Sequence, residues 1–86
     1  MKKDMIQEVS VMIDGEVIKI NVERVFHSRN PATGRFNVNF KEAGSSRSVR
    51  LYCHDQEEAA TLSRTIQEGK TTDLTAYPAE WNHWNL

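Results

Sequence analysis

The stretch Val9-Ser10-Val11-Met12-Ile13-Asp14-Gly15-Glu16-Val17-Ile18-Lys19-Ile20-Asn21-Val22 decides the fold. On each side of Asp14-Gly15, aliphatic residues recur at every second position, which predicts two strands that each have one buried face. Asp-Gly between two such runs is the strongest short-range signal for a β-hairpin, because both central residues of a type I′ turn need a positive φ. The sequence therefore predicts an antiparallel hairpin here.

Two further alternating segments extend this hairpin into a predicted sheet. Residues 35–41 and residues 48–53 each alternate apolar with polar side chains, and the apolar members are Phe36, Val38, Phe40, Val49, Leu51 and Cys53. Asn30-Pro31 and Gly34 have the chemistry of a turn before the third strand, and Ala43-Gly44-Ser45-Ser46 predicts the turn before the fourth.

The period of the apolar pattern then changes from two to that of a helix. Asp55 and Glu58 have the spacing of a capping box, and Gly69 stands where a glycine ends a helix. Between them lies an apolar stripe at helical spacing, made of Ala59, Leu62 and Ile66. We therefore predict an α+β fold, a four-stranded antiparallel meander in the order 1-2-3-4 with one helix packed on one face.

An aromatic C-terminal tail follows the predicted helix. Tyr77, Trp81 and Trp84 recur at intervals of three and four residues, and Pro78 suits the first position of a short helix. Two interpretations of these aromatics remain open. They form part of the core or a lid over one end of the sheet, or they contact a partner, which includes a second copy of the chain.

Length and composition favour one small domain. The chain has 86 residues, of which 38% are hydrophobic and 27% are charged. We expect a single domain over 1–86, with a core over about 5–69 and a tail over 70–86. No apolar run approaches the roughly 20 residues of a membrane span, and no apolar run typical of a signal peptide follows Lys2 and Lys3. With a lone cysteine as well, the sequence predicts a cytoplasmic protein without membrane contact.

The sequence carries little that is typical of catalysis. Cys53 and three scattered histidines are present, but Cys53 falls on the predicted inward face of its strand, where a free cysteine is usually inert. There is no zinc-ligand spacing, no glycine-rich phosphate loop and little volume for a pocket. We therefore predict a non-enzymatic protein with no metal and no cofactor.

The net charge of −1 conceals an uneven distribution. Residues 1–23 carry a net −2, residues 24–50 carry +5 and residues 55–86 carry −4. Strand parity gathers part of the basic middle onto the sheet face opposite the helix, namely Arg35, Asn37, Asn39, Lys41, Ser48, Arg50 and Tyr52. This face is either ordinary polar surface, a binding surface for an acidic protein, or a surface for nucleic acid.

One loop bears on the nucleic-acid alternative. Arg29-Asn30-Pro31-Ala32-Thr33-Gly34-Arg35 resembles the R-N-P-x-T-G-[KR] tip of the β-arm in the HU/IHF family of DNA-bending proteins. The resemblance implies Pro31 as a wedge between base steps, with Arg29 and Arg35 as flanking cations. The match covers seven residues, and the two helices that precede the arm in that family have no counterpart in this chain. The same residues also make a generic turn.

The function favoured by these observations is a small binding module. We expect it to recognise a protein with an acidic surface through the basic sheet face, with the aromatic tail as a second candidate contact. The alternative is a nucleic-acid-binding protein that uses the 27–35 loop and the same face.

Overall fold

The computed structural model describes residues 7–83, with the side chain of His83 left out of the description. Five strands and one helix follow one another as β1 (Gln7–Ile13), β2 (Glu16–Arg29), β3 (Phe36–Glu42), β4 (Arg47–Cys53), α1 (Gln56–Gln67) and β5 (Ala79–His83). All neighbouring strands are antiparallel, in the order β1-β2-β3-β4-β5. The α+β class is confirmed. The predicted number of strands was wrong, because the sheet has five strands rather than four.

The hairpin that opens the sheet has the predicted turn and register. Asp14 has φ 53° and Gly15 has φ 79°, which is the pair of positive angles that a type I′ turn requires. Val9 faces Ile20 across the two strands, and Val11 faces Ile18. These four aliphatic residues therefore share the inner face of the sheet, whereas Met12 and Val17 face each other on the outer side.

A β-bulge divides β2 into two halves. The first half pairs with β1 and the second with β3, and the register shifts between Val22 and Arg24. Val22 is buried on the inner face, and the next inward aliphatic is Val25, three positions later instead of two. Because the extra residue reverses the parity of the second half of the strand, Arg24 and Phe26 point to the outer face.

The helix has the predicted boundaries and caps. Asp55 is the N-cap, and its carboxylate accepts a 2.8 Å hydrogen bond from the backbone N–H of Glu58. The Glu58 carboxylate in turn accepts from the backbone N–H of His54 at 2.6 Å. Gly69, with φ 75°, follows the C-cap. The apolar stripe of α1 is buried against the inner face of the sheet, where it contacts β2, β3 and β4.

The residues after α1 connect the two outer edges of the meander. Thr72 and Leu74 pair with Ser10 of β1, through hydrogen bonds of 2.8 Å each, and β5 then pairs along β4. The sheet is curled, so that β1 and β5 contact each other. Leu74 is fully buried, and the core thus includes a residue of the predicted tail.

The short helix expected at Pro78 does not form. Residues 79–83 are extended, and the carbonyl of Pro78 accepts a 3.0 Å hydrogen bond from the N–H of Tyr52. Ala79 and Trp81 pack against the core, while Glu80 lies on the other side of the sheet, beside Arg50. The alternation of a strand therefore prevails over the helical spacing of the aromatics.

The core lies between the inner face of the sheet and α1. Its buried apolar members are Val9, Val11, Ile13, Ile20, Val22, Val38, Phe40, Val49, Leu51, Cys53, Ala59, Leu62, Ile66 and Leu74. Within residues 7–83, no helix is long and apolar enough to cross a membrane.

Candidate functional site

The predicted polar face is the outer face of β2 to β5. The register of β3 against β4 pairs Asn37 with Tyr52 and Asn39 with Arg50, so these residues lie on one side of the sheet as expected. On the same side, β2 contributes Arg24 and Phe26. The outer face is therefore wider than the two strands from which it was predicted.

The centre of the outer face is closed to solvent. Asn37 and Asn39 are 3% and 6% exposed, and Ser48 is 1% exposed, so none of them lies on an open surface. Asn37 Oδ1 accepts hydrogen bonds from Ser28 Oγ at 2.8 Å and from Asn39 Nδ2 at 2.7 Å, and Asn39 Nδ2 also donates to Ser28 Oγ at 3.1 Å. The two asparagines, predicted as binding residues, form a buried polar network instead.

The outer face also carries an acid that the predicted set lacked. Glu80 of β5 lies next to Arg50, and its Oε2 is 3.2 Å from the Arg50 guanidinium. The same oxygen accepts a 2.6 Å hydrogen bond from the Tyr52 hydroxyl. Two of the predicted binding residues are therefore engaged with a carboxylate of the chain itself.

Two more cations of the basic middle are paired. Lys41 Nζ is 2.9 Å from Glu23 Oε1, and this hydrogen bond holds the pKa of Glu23 below its usual value. Arg47 is 2.8 Å from Glu42 and also stacks over the ring of Trp81, 4.3 Å from its centroid. The positive charge of residues 24–50 is thus partly compensated within the fold.

Three arginines of the basic middle have no ion-pair partner among residues 7–83, namely Arg24, Arg29 and Arg35. Arg24 lies on the outer face of β2, and the other two flank the loop that joins β2 to β3. We call these arginines, with the exposed Phe26 and Pro31, the basic surface. It extends from the outer face, where Arg24, Phe26 and Arg35 lie, around the loop to Arg29, which lies over Phe36 on the helix side of the sheet. The stretch from Arg24 to Lys41 contains no Asp or Glu.

The 30–35 loop is a closed local turn. The backbone N–H of Asn30 donates to the carbonyl of Arg35 at 2.8 Å, and Asn30 Oδ1 accepts from the N–H of Ala32 at 2.9 Å. Thr33 Oγ1 accepts from the N–H of Arg35 at 3.2 Å, and Gly34 has φ 75°. Turn chemistry therefore accounts for the Asn, Thr and Gly of the motif that resembles the HU/IHF arm.

The loop does not sit on a protruding two-stranded arm. Every residue from Phe36 to Lys41 pairs with β4 on one side and with β2 on the other. The loop therefore lies at the end of the sheet. Pro31 at its tip is exposed.

The predicted aromatic tail is divided between the core and the undescribed residues. Tyr77 and Trp81 are half-buried and pack against the core, and burial raises the pKa of the Tyr77 hydroxyl. Trp84 lies outside the described residues. Tyr77 and Trp81 thus have the packing role that one of the two interpretations assigned to them.

Cys53 is buried in the core, 9% exposed. Burial, and then the nearby carboxylates Glu58 and Asp55, raise the pKa of its thiol to about 11. The thiol is therefore protonated at neutral pH and a poor nucleophile. Within residues 7–83, no group of three or more His, Cys, Asp or Glu side chains is arranged to hold a metal ion.

Sequence reasoning missed the outward position of Phe26 and the presence of Glu80 on the outer face. The signal for Phe26 was the three-residue interval from Val22 to Val25, which marks a bulge. The signal for Glu80 was the alternation of apolar Ala79, polar Glu80 and apolar Trp81, which is compatible with a fifth strand that points Glu80 away from the core.

Comparison with protein-family models, with curated proteins and with solved structures finds no match to this chain.

Proposed function

We propose that the chain is a non-enzymatic binding domain that recognises a protein partner through the basic surface, and that the partner presents an acidic patch. The observation that carries the proposal is that Arg24, Arg29 and Arg35 have no ion pair within residues 7–83, whereas Lys41, Arg47 and Arg50 do. Carboxylates of a partner are natural counter-ions for such arginines.

Two arginines of the basic surface are ordered by ring contacts in the unbound chain. The Arg35 guanidinium lies 4.4 Å from the centroid of the Tyr52 ring, and that of Arg29 lies 5.9 Å from the centroid of Phe36. Beneath the surface, Ser28, Asn37 and Asn39 form the buried network. Ordered side chains lose less entropy on binding than flexible ones, which supports use of this surface for recognition.

Phe26 gives the surface an apolar centre. It is 39% exposed and lies two residues beyond Arg24 on the same face of β2. Aromatic residues and arginine are enriched in protein interfaces and often provide most of the binding energy. An exposed aromatic beside an arginine therefore suits a protein partner.

The same geometry favours a protein over a nucleic acid. Glu80 stands on the outer face, where it would repel phosphates. The Tyr52 ring is covered by Arg35 and its hydroxyl is bound to Glu80, so it is poorly placed to stack with a base. A protein partner can match both charges. We further propose that the chain acts in the cytoplasm, because a single free thiol suits a reducing compartment.

Site-specific photocrosslinking tests the proposal. The photoreactive residue p-benzoylphenylalanine is introduced in place of Phe26, and the chain is expressed in the organism that encodes it and irradiated. The matched control carries the same residue in place of Val17, which is 59% exposed on the first half of β2. We expect an adduct with an acidic protein from position 26 and none from position 17.

Charge reversal completes the experiment. Arg24→Glu combined with Arg35→Glu should reduce the adduct yield by about tenfold or more, because each reversal replaces an attraction with a repulsion. An adduct that disappears on nuclease treatment would show a nucleic-acid partner and overturn the proposal. Equal adducts from positions 17 and 26 would show unspecific contact and overturn it as well.

A further inference from the structure

We infer that a second copy of this chain can supply the acidic patch, so that the chain forms a two-fold symmetric dimer through the end of the sheet that carries the 30–35 loop. The inference rests on the proposed function, since it uses Arg29 and Arg35 of the basic surface. It adds the identity of a partner and the position of the complementary charges.

The complementary charges lie at the start of α1. Asp55, Glu57 and Glu58 have no ion pair among residues 7–83. Two of these carboxylates accept hydrogen bonds from backbone N–H groups of the helix cap, Asp55 from Glu58 and Glu58 from His54. Asp55 and Glu58 are thus ordered by local hydrogen bonds and form no ion pair with another described residue of the chain.

The positive and negative groups share one end of the molecule. Phe36, next to Arg35, pairs with Cys53, two residues before Asp55. One small pocket, of about 190 Å³, is lined by Arg29 together with Gln56 at the start of α1. A second, of about 100 Å³, is lined by Arg35 together with His54.

A surface that carries a positive patch beside a negative patch can be complementary to the same surface of a second copy. When two copies meet end to end about a two-fold axis, the arginines of one copy face the carboxylates of the other, and the reverse contact is identical. The exposed Pro31 and Ala32 at the tip of the loop stand at this same end and would enter the interface. Because Asp55, Glu58 and the two arginines already have local contacts, ordering them in the dimer would cost little additional side-chain entropy.

The expected association is weak and depends on salt. Exposed ion pairs contribute little each, so we expect a dissociation constant of about 0.1–1 mM at low salt. Sedimentation velocity of the full chain should show the average mass rising toward that of a dimer with concentration in about 50 mM NaCl, and returning to that of a monomer in about 500 mM NaCl.

Two charge-reversed variants make the test specific. The first carries Arg29→Glu and Arg35→Glu, and the second carries Gln56→Lys and Glu57→Lys, which leaves the cap residues Asp55 and Glu58 intact. Each variant alone should be monomeric, because like charges then face each other across the axis. Mixed in equal amounts, the two should form a 1:1 dimer, at least as tightly as the wild-type chain does.

A control pair separates local complementarity from net charge. Lys19→Glu with Lys70→Glu changes the net charge by the same amount as the first variant, and Glu8→Lys with Glu16→Gln by the same amount as the second, at exposed positions elsewhere. Because both control variants keep the charged groups of the proposed interface, each should dimerise as the wild-type chain does, alone and when mixed. Circular dichroism of all four variants checks that they are folded, and a variant that is not folded is replaced by its single substitutions.

The outcomes separate this inference from the proposed function. A wild-type chain that stays monomeric at about 1 mM and low salt, growth beyond a dimer, or a loss of association in the control variants as large as that in the Arg29/Arg35 and Gln56/Glu57 variants would overturn the dimer. If the dimer fails while the Phe26 adduct with an acidic protein persists, the proposed function stands. If Arg29→Glu with Arg35→Glu leaves the dimer intact, the two arginines are not the dimer contact and this inference fails, whereas the proposed function fails only if position 26 gives no specific adduct with an acidic protein.

Discussion

The hydroxyl of Tyr52 donates a 2.6 Å hydrogen bond to Oε2 of Glu80, a residue 28 positions further along the chain. This contact joins β4 to β5 on the outer face and brings a carboxylate into a region predicted to hold none. It results from the formation of a fifth strand, since that strand places Glu80 beside Arg50. The outer face is therefore mixed in charge, and the arginines that lack an ion pair within residues 7–83 lie toward β2 and the 30–35 loop.

Replacing Glu80 should make the outer face more attractive to anions at little cost in stability. Glu80→Gln removes the partner of Arg50, but both side chains are partly exposed, so we expect the free energy of unfolding to fall by no more than about 1 kcal/mol. The salt needed to elute the chain from a heparin column should rise. Glu68→Gln is the matched control, because it makes the same charge change beside Lys70. Equal elution of both variants would contradict a local effect.

The buried asparagine network should contribute to stability more than to binding. Asn37→Ala removes the acceptor of both Ser28 Oγ and Asn39 Nδ2. We expect the free energy of unfolding to fall by about 1–3 kcal/mol in urea titrations. Asn21→Ala, at an exposed position of the same sheet, should change it by less than about 0.5 kcal/mol. If Asn37→Ala instead left stability unchanged and weakened the partner adduct, Asn37 would be a binding residue after all.

These cases show which parts of the structure the sequence could predict. The hairpin at Asp14-Gly15, the strands 36–42 and 47–53 and the capped helix were predictable, because each depends on local periodicity or on a turn and cap residue. The side of the sheet on which Asn37 and Asn39 lie was predictable too, since side chains alternate along a strand. Their burial was not, because it depends on neighbours from other strands.

The fifth strand was missed for a physical reason. Tyr77, Trp81 and Trp84 have helical spacing, but hydrogen bonds with the free edge of β4 decide the conformation of residues 79–83, and that edge exists only in the folded sheet. Because the fifth strand was not predicted, the position of Glu80 on the outer face was not predicted either. The arginines of the basic surface could be identified only once the ion pairs of Lys41, Arg47 and Arg50 were known.

Truncation of Trp81 tests how far β5 belongs to the core. Its side chain faces inward opposite Val49 and is half-buried beneath Arg47. We expect Trp81→Ala to lower the free energy of unfolding by about 2–4 kcal/mol, because apolar contacts are lost and a cavity remains. Arg47→Met, which removes the cation over the ring and the exposed ion pair with Glu42 but keeps the ring, should cost less than about 1 kcal/mol. A Trp81→Ala variant as stable as the wild type in urea would show that β5 is dispensable.

The thiol of Cys53 should be unreactive in the native chain and should make stability depend on pH at the alkaline end. Burial raises its pKa from 9.0 to about 11, which lowers the thiolate fraction near pH 8 by about 100-fold, so iodoacetamide should label the folded chain far more slowly than the chain in urea. Because the folded state holds the proton more tightly, the stability that the thiol contributes is complete below pH 9.0 and is lost as the pH rises toward about 11. Cys53→Ala, followed by urea unfolding at several pH values, should flatten this loss. Rapid labelling of the folded chain would contradict the burial of the thiol, and would restore the possibility that Cys53 acts as a nucleophile.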